Sequence, residues 1–279
     1  MPTIRVAHSP DSDDAFMFYA LAEGKVDTGD RAYVHELADI ESLNRRALAG
    51  ELEVTAVSFH AYAYLQDRYA LLPHGASMGD GYGPRLVSRE AVPKDPSAAL
   101  AGRLVAIPGE RTTAALALKL FQPRVRTAVV PFDQIEEAVA AGRADIGLLI
   151  HEGQLTYADR GLMLWQDLGA WWKDRTQLPL PLGGNVVRLD LGEDLVRAIS
   201  RDLRESIRYG LAHRPAALAH AQRYARGLAP ERTDTFVGMY VNDWTVDYGP
   251  AGRRAVQLLL EEGADAGLIP HVRARFVEG

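Results

Sequence analysis

Short apolar runs alternate with stretches of helical period along most of this chain, and that alternation narrows the choice of fold more than anything else in it. Thr3–His8 reads as a strand, a buried helix follows over residues 15–22, and residues 31–37 form a second strand. Asp39 caps a helix carrying Ile40, Leu43, Ala47 and Leu48 that ends at Gly50, and Val54–Ser58 is a third strand. A second series starts after residue 100, with strands expected at residues 103–107, 125–130 and 144–150, and helices between them opened by Thr112-Thr113 and by Phe132. Strand–helix repetition of this kind implies parallel strands with crossover helices. The order predicts an α/β protein of two lobes. The larger, discontinuous lobe takes residues 1–89 and 186–279, and the smaller takes 90–185. Two crossings of the chain leave a cleft between the lobes, and clefts of this kind are preferred ligand sites.

Two segments interrupt the pattern. Gly75, Gly79, Gly81 and Gly83 fall within nine residues and end at Pro84, which predicts a loop where backbone bends sharply or approaches something closely. Leu178-Pro179-Leu180-Pro181-Leu182-Gly183-Gly184 reads as a proline-stiffened crossing segment ahead of a strand at residues 185–189. Most of residues 193–263 is expected to be helical.

Composition removes several function classes. The chain of 279 residues has 47% hydrophobic and 24% charged residues, ample for a packed core. Its net charge of −6 and lack of a long basic run argue against a nucleic-acid partner. It contains no cysteine, so disulfides, thiol nucleophiles and zinc–thiolate sites are excluded. No apolar run is long enough for a membrane helix, and the opening residues do not resemble a signal peptide, so a cytoplasmic location is expected.

His151 is the leading chemical candidate. It follows the apolar run Ile146 to Ile150 directly, at the carboxyl end of an expected buried strand, with Gly153 nearby to let the chain turn. In α/β sheets ligands gather at that edge. A His there can also be merely solvated. Asp11, Asp13 and Asp14 fail the calcium-loop spacing and fit capping of the following helix, where carboxylates suit the positive end of the dipole. Thr112-Thr113 after Pro108-Gly109 suits either an anion site or a plain N-cap, and Ser58, between strand and helix, has the same two readings. His151-Glu152 lacks the second His of a metalloprotease helix, the glycine loop matches no phosphate-binding fingerprint, and no nucleophile elbow is present. Arg85 can meet a carboxylate, and Trp165, Trp171, Trp172 and Tyr157 can line an aromatic pocket, although such residues usually belong to the surface and the core. His8, His60 and His74 are further candidates for the cleft.

The order of these signals resembles the menaquinone-biosynthesis family of the futalosine route. The resemblance is carried by Ser9-Pro10, Asp14, Phe16 and Phe18-Tyr19-Ala20-Leu21, by Leu43-Asn44-Arg45-Arg46-Ala47, and by Val57-Ser58 with Ala61-Tyr62. It continues through Gly81, Gly83-Pro84, Ile107-Pro108-Gly109 with Thr112-Thr113-Ala114, Ile150-His151-Glu152, and Leu178 to Gly183. It implies a fold like that of type II periplasmic binding proteins. It also implies a lyase that cleaves cyclic dehypoxanthine futalosine to 1,4-dihydroxy-6-naphthoate, with no metal or other cofactor. His151 maps onto the family's base, and Ser58, Thr112 and Thr113 onto its substrate-holding positions. Ser9, Asp14 and Gly83 are further expected substrate contacts, with a small-molecule carboxylate as the ligand. Glu152 or a nearby backbone carbonyl is expected to fix the imidazole tautomer. The opening motif departs from the family's common Ser-Pro-Cys-Pro-Asn-Asp-Thr-Phe, because Asp13 and Ala15 stand in place of Asn and Thr. Alternatives are a chorismate dehydratase of the same family and a non-catalytic binding protein for a small carboxylate.

Overall fold

The structure is a computed structural model and describes residues 3–278. Its strands are β1 (Thr3–His8), β2 (Ala32–Leu37), β3 (Val54–Ser58), β4 (Tyr69–Leu71), β5 (Ser77–Gly79), β6 (Arg85–Ser88), β7 (Leu104–Ile107), β8 (Arg126–Val129), β9 (Ile146–Leu149), β10 (Met163–Asp167) and β11 (Leu180–Arg188). They form two sheets. The first runs β2-β1-β3-β11-β4, with β5 also paired to β11, and the second runs β10-β6-β9-β7-β8.

Both sheets have the expected parallel centre. β1 pairs in parallel with β2 and β3, and β7 pairs in parallel with β8 and β9. Each centre is extended by antiparallel strands: β6 and the second half of β11 fall where residues 85–89 and 185–189 read as strands, whereas β4, β5 and β10 are not marked by the alternation. The chain crosses from the first sheet to the second between β5 and β6, and returns between β10 and β11. Strand β6 therefore belongs with β9 and β10, and all of β11 with the first sheet.

The segment expected to be a proline-stiffened crossing is instead the first half of β11. Pro181 is tolerated because the pairing with β5 shifts register between Pro181 and Gly183, where a missing N–H donor does least harm. The antiparallel register then sets Gly183 opposite Ser58 and Asn185 opposite Ala56.

Local chemistry explains the helices that matter for the cleft. Ile40–Ala49 starts where the Asp39 side chain accepts the Ser42 N–H at 3.0 Å, and it ends at Gly50, whose φ of 75° is the left-handed conformation glycine favours. Thr113–Phe121 is capped by Thr112, whose hydroxyl accepts the Ala115 N–H at 3.2 Å. Ser12–Ala22 is apolar on most sides and buried. Phe16, Met17 and Phe18 pack it against the first sheet and the long helix Glu193–Ala212. Among the described residues no helix is long and apolar enough to cross a membrane.

Candidate active site

All four strands at the parallel centres that are followed by site residues end at one place. β1 delivers Ser9 to Asp14, β3 ends on Ser58, β7 leads into Thr112 and Thr113, and β9 leads into Ile150 and His151. These segments line a single cleft, together with Gly183, Gly184 and Asn185 of β11. The carboxyl ends of both sheets thus converge, which is the geometry expected for ligand sites in α/β folds.

His151 adopts a φ of 53°, one of three non-glycine residues with positive φ among those described. The expected turn at Gly153 is made two residues earlier, by the histidine itself. A bulky residue in the left-handed region is uncommon and points to function when the surroundings hold it there. What holds it is Asp11, whose Oδ2 lies 2.7 Å from His151 Nδ1. The contact is an ion-pair approach rather than a well-aligned hydrogen bond. Phe132 packs edge-on against the ring at 5.0 Å, and Nε2 is buried without a partner in the protein.

Burial opposes charge on His151, but the Asp11 carboxylate, helped by Glu152, outweighs it and raises the imidazole above its usual pKa. Burial likewise pushes Asp11 up, yet the facing imidazolium and Arg226 hold it down to about 2. Asp11 is therefore an ionised partner that keeps its proton on the histidine side. The sequence reading gave this role to Glu152 or a carbonyl and gave Asp11 to helix capping. Both need correction. Asp11 occupies the N-cap position of Ser12–Ala22 but its side chain makes no capping hydrogen bond. Glu152 turns to Arg226, with Oε2 2.8 Å from Nη1.

Arg226 ties the two sides of the cleft together. Besides Glu152 it donates to the Pro10 carbonyl at 2.9 Å, and its guanidinium lies 4.6 Å from the Phe132 ring centre. Tyr240 adds a second link, donating its hydroxyl to Gln154 Oε1 at 2.7 Å.

The far end of the cleft differs in kind. The Thr112 hydroxyl donates to the Gly109 carbonyl at 2.9 Å, and the Thr113 hydroxyl donates to the Leu182 carbonyl. Both donors are thereby used within the protein. The backbone N–H groups of Thr113 and Ala114, in the first turn of the helix, have no intrahelical acceptor and remain able to meet an anion. Ser58 receives an Asn44 amide N–H on its oxygen at 3.3 Å, which leaves its own O–H free to donate. Of the two readings for Thr112-Thr113, the cap is made by the Thr112 hydroxyl, while the Thr113 hydroxyl ties the helix to β11.

Ser9, Asp14, Ser58, Thr112, Thr113 and His151 all line this cleft, and Gly83 does not. A side chain at Gly83 would begin 3.0 Å from the backbone of Gly169, so this glycine serves a close backbone crossing behind the wall that Pro84 forms. His8, His60 and His74 are not in the wall either. His8 stacks on Phe18 at 4.5 Å, while His60 and His74 bond to the carbonyls of Thr112 and Val246. Arg85 pairs with Asp167 at 3.3 Å. Trp165 and Trp172 are core residues whose indole N–H groups bond to the Glu90 and Pro179 carbonyls. The aromatic residues that do line the cleft are Phe236 and Tyr240, from the helical region where sequence offered no signal. Gln154, Asn185 and Asp13 were also missed as wall residues. Among the described residues no group of three or more His, Asp or Glu side chains is arranged to hold a metal ion, and no lysine or arginine lines the cleft.

Residues 4–265 match the model of a family described as menaquinone biosynthesis. The chain is 42% identical to a Thermus thermophilus protein named 1,4-dihydroxy-6-naphthoate synthase, over 99% of this chain and all of that one. It is 37% identical to a Streptomyces coelicolor protein of the same name, over 96% and 95% of the two chains. Among solved structures, protein AF1704 from Archaeoglobus fulgidus superposes with a TM-score of 0.91 at 47% identity, over 96% of this chain and 98% of that one. The alkanesulfonate-binding protein SsuA from Xanthomonas axonopodis pv. citri superposes with a TM-score of 0.70 at 12% identity, over 98% and 96%, a likeness of fold alone. With two sheets meeting at one cleft in the manner of periplasmic binding proteins, and with relatives of this similarity along nearly its whole length, the chain belongs to the menaquinone biosynthesis family.

Proposed function

We propose that this protein is a 1,4-dihydroxy-6-naphthoate synthase, a carbon–carbon lyase that cleaves cyclic dehypoxanthine futalosine, with His151 as general base. One observation carries the assignment of the base. His151 presents a buried, unpartnered Nε2 in the cleft while Asp11 engages Nδ1. An imidazole held in that way can take a proton from a substrate carbon at Nε2 and bear the resulting charge against Asp11. Loss of that proton leaves an electron pair that can form a double bond as the neighbouring carbon–carbon bond breaks; the departing carbon keeps that bond's electron pair and takes up a proton, which separates the dihydroxynaphthoate from the sugar-derived fragment. The Ser58 hydroxyl and the Thr113 and Ala114 amides offer donors for the substrate carboxylate at the opposite end. Ser9 and Asp14 line the side nearest the base. The same reading places the protein in the cytoplasm, acting on a small-molecule carboxylate. Sheet membership supports lobes that join near residues 84 and 179.

The test is turnover of cyclic dehypoxanthine futalosine followed by mass spectrometry, with chorismate as the competing substrate. Formation of the dihydroxynaphthoate is expected. An enolpyruvyl benzoate from chorismate, or recovery of every candidate unchanged, would defeat the reading. His151→Asn should lower kcat by roughly 10²–10⁴ while keeping the fold, since asparagine tolerates the left-handed φ at this position. Near-normal turnover in that variant would remove His151 as the base.

A further inference from the structure

The acidic wall contains one carboxyl group that neither the fold nor the histidine accounts for. Asp11 answers His151, and Asp14 accepts the Ser9 backbone N–H at 2.7 Å. Asp13 is only 7% exposed and lines the cleft, and its Oδ1 is buried with no hydrogen-bond partner. An ionised carboxylate left in that position would be costly. The carboxyl groups facing it make matters worse: Asp11 and Asp14 from its own segment and Glu152 from the turn after β9, while the Tyr240 hydroxyl from helix Pro230–Tyr240 is donated to Gln154. Arg226, which acts on neighbouring Asp11, is engaged by Glu152 and Pro10. No metal-ligand arrangement is present among the described residues to neutralise the group another way.

We infer that Asp13 works as a neutral carboxylic acid, donating its O–H to a substrate oxygen at the His151 end of the cleft. This rests on the lyase reading above and adds a second, specificity-determining residue to it. Burial, followed by repulsion from Asp11, Asp14 and Glu152, keeps the proton on Asp13 well above the ordinary carboxylate range. Beside it Asp11 is an acceptor, the Ser9 hydroxyl is unpartnered, and burial beside Asp11 pushes Asp14, which accepts the Ser9 N–H, up to about 8. A protonated Asp13 adds a carboxylic acid donor to this wall, and that donor is strengthened when negative charge grows on the substrate oxygen. A cleft with three aspartates and no lysine or arginine in its wall can then accept an oxygen-rich anion with less repulsion.

Two measurements test the inference. The first is binding of 1,4-dihydroxy-6-naphthoate, titrated from acid to alkaline pH with the intact protein, Asp13→Asn and Asp13→Ala. Affinity of the intact protein should fall as pH rises and Asp13 loses its proton. Asp13→Asn keeps a neutral donor of the same shape, so that fall should disappear. Asp13→Ala should bind about 10-fold more weakly at low pH, the loss of one such hydrogen bond. Equal binding by all three proteins at every pH overturns the inference while leaving the lyase reading in place. No binding by the intact protein at any pH defeats the lyase reading and, with it, the donor role. The second measurement is a carbon-13 carboxyl titration of the intact protein against Asp13→Asn. A resonance lost in the variant and titrating above neutral pH is expected, and one titrating in the ordinary carboxylate range overturns the neutral-acid claim independently of any ligand.

Discussion

At the Thr112 end of the cleft the hydroxyl donors of Thr112 and Thr113 are taken up inside the protein, and only backbone amides and Ser58 are left to meet a ligand. At the Asp11 end the opposite holds. Ser9 Oγ, Ser12 Oγ, Asp13 Oδ1, Glu152 Oε1 and His151 Nε2 are buried without hydrogen-bond partners, and the backbone at His151 is left-handed. Buried polar atoms are normally paired, so these exceptions around His151 are the kind of cost an active site imposes, although Asn185 Oδ1 in the cleft and Glu41 Oε2 beside Gly109 are unpaired as well. The hydroxyl end is a rigid cradle that folding alone would produce. The acidic end makes physical sense only with a substrate in it.

This contrast fixes the order of expected effects. Removing the carboxylate with Asp11→Asn should lower kcat by up to roughly 10⁴-fold, as replacing the aspartate that orients a catalytic histidine does, with KM little changed in steady-state assays. A variant with full kcat would mean that Asp11 is a spectator and that the two ends do not differ in kind. Ser58→Ala should act the other way, raising KM by about 2- to 10-fold through one lost hydrogen bond while kcat holds. A larger effect on kcat than on KM would move Ser58 into the chemistry. The smallest effect belongs to Thr112→Ala. Its cap on Thr113–Phe121 is worth about 1 kcal/mol, which lowers Tm by roughly 2–4 °C in thermal melts. A Thr112→Ala protein that melts normally but loses substrate affinity would show the hydroxyl facing the ligand after all.

The parallel centres of both sheets were legible because apolar runs such as Val54–Ser58 and Ile146–Leu149 are bounded by polar residues and separated by helices of the right length. The antiparallel additions were legible only in part, as the strands at residues 85–89 and 185–189. β5 and β10 are short strands without an alternating pattern, and Pro181, with Pro179 just ahead of it, disguises the first half of β11, whose register shift makes room for Pro181. In the site, His151 could be picked out because a titratable residue ends a buried strand. Its partner could not, since Asp11 lies far away in sequence and on the other sheet, and Asp11, Asp13 and Asp14 together imitate a helix cap. The family's opening motif commonly has Asn where Asp13 stands, and the sequence reads that change as the loss of an uncharged hydrogen-bonding group. The surroundings of Asp13 suggest instead that a carboxyl kept neutral restores one. Tyr240 and Gln154 reach the cleft only through tertiary packing, which no local pattern records.

The central claim is that Asp11 sets the chemistry of His151, and the pH dependence of kcat for the intact protein and for Asp11→Asn tests it most directly. A base must be unprotonated to act, so kcat should rise with pH through the His151 pKa. In the intact protein Asp11 outweighs burial, and the midpoint should lie above the ordinary histidine value of about 6.5. In Asp11→Asn burial is left largely unopposed, and the midpoint should move below it. A midpoint that stays in place when the carboxylate is removed would contradict the account.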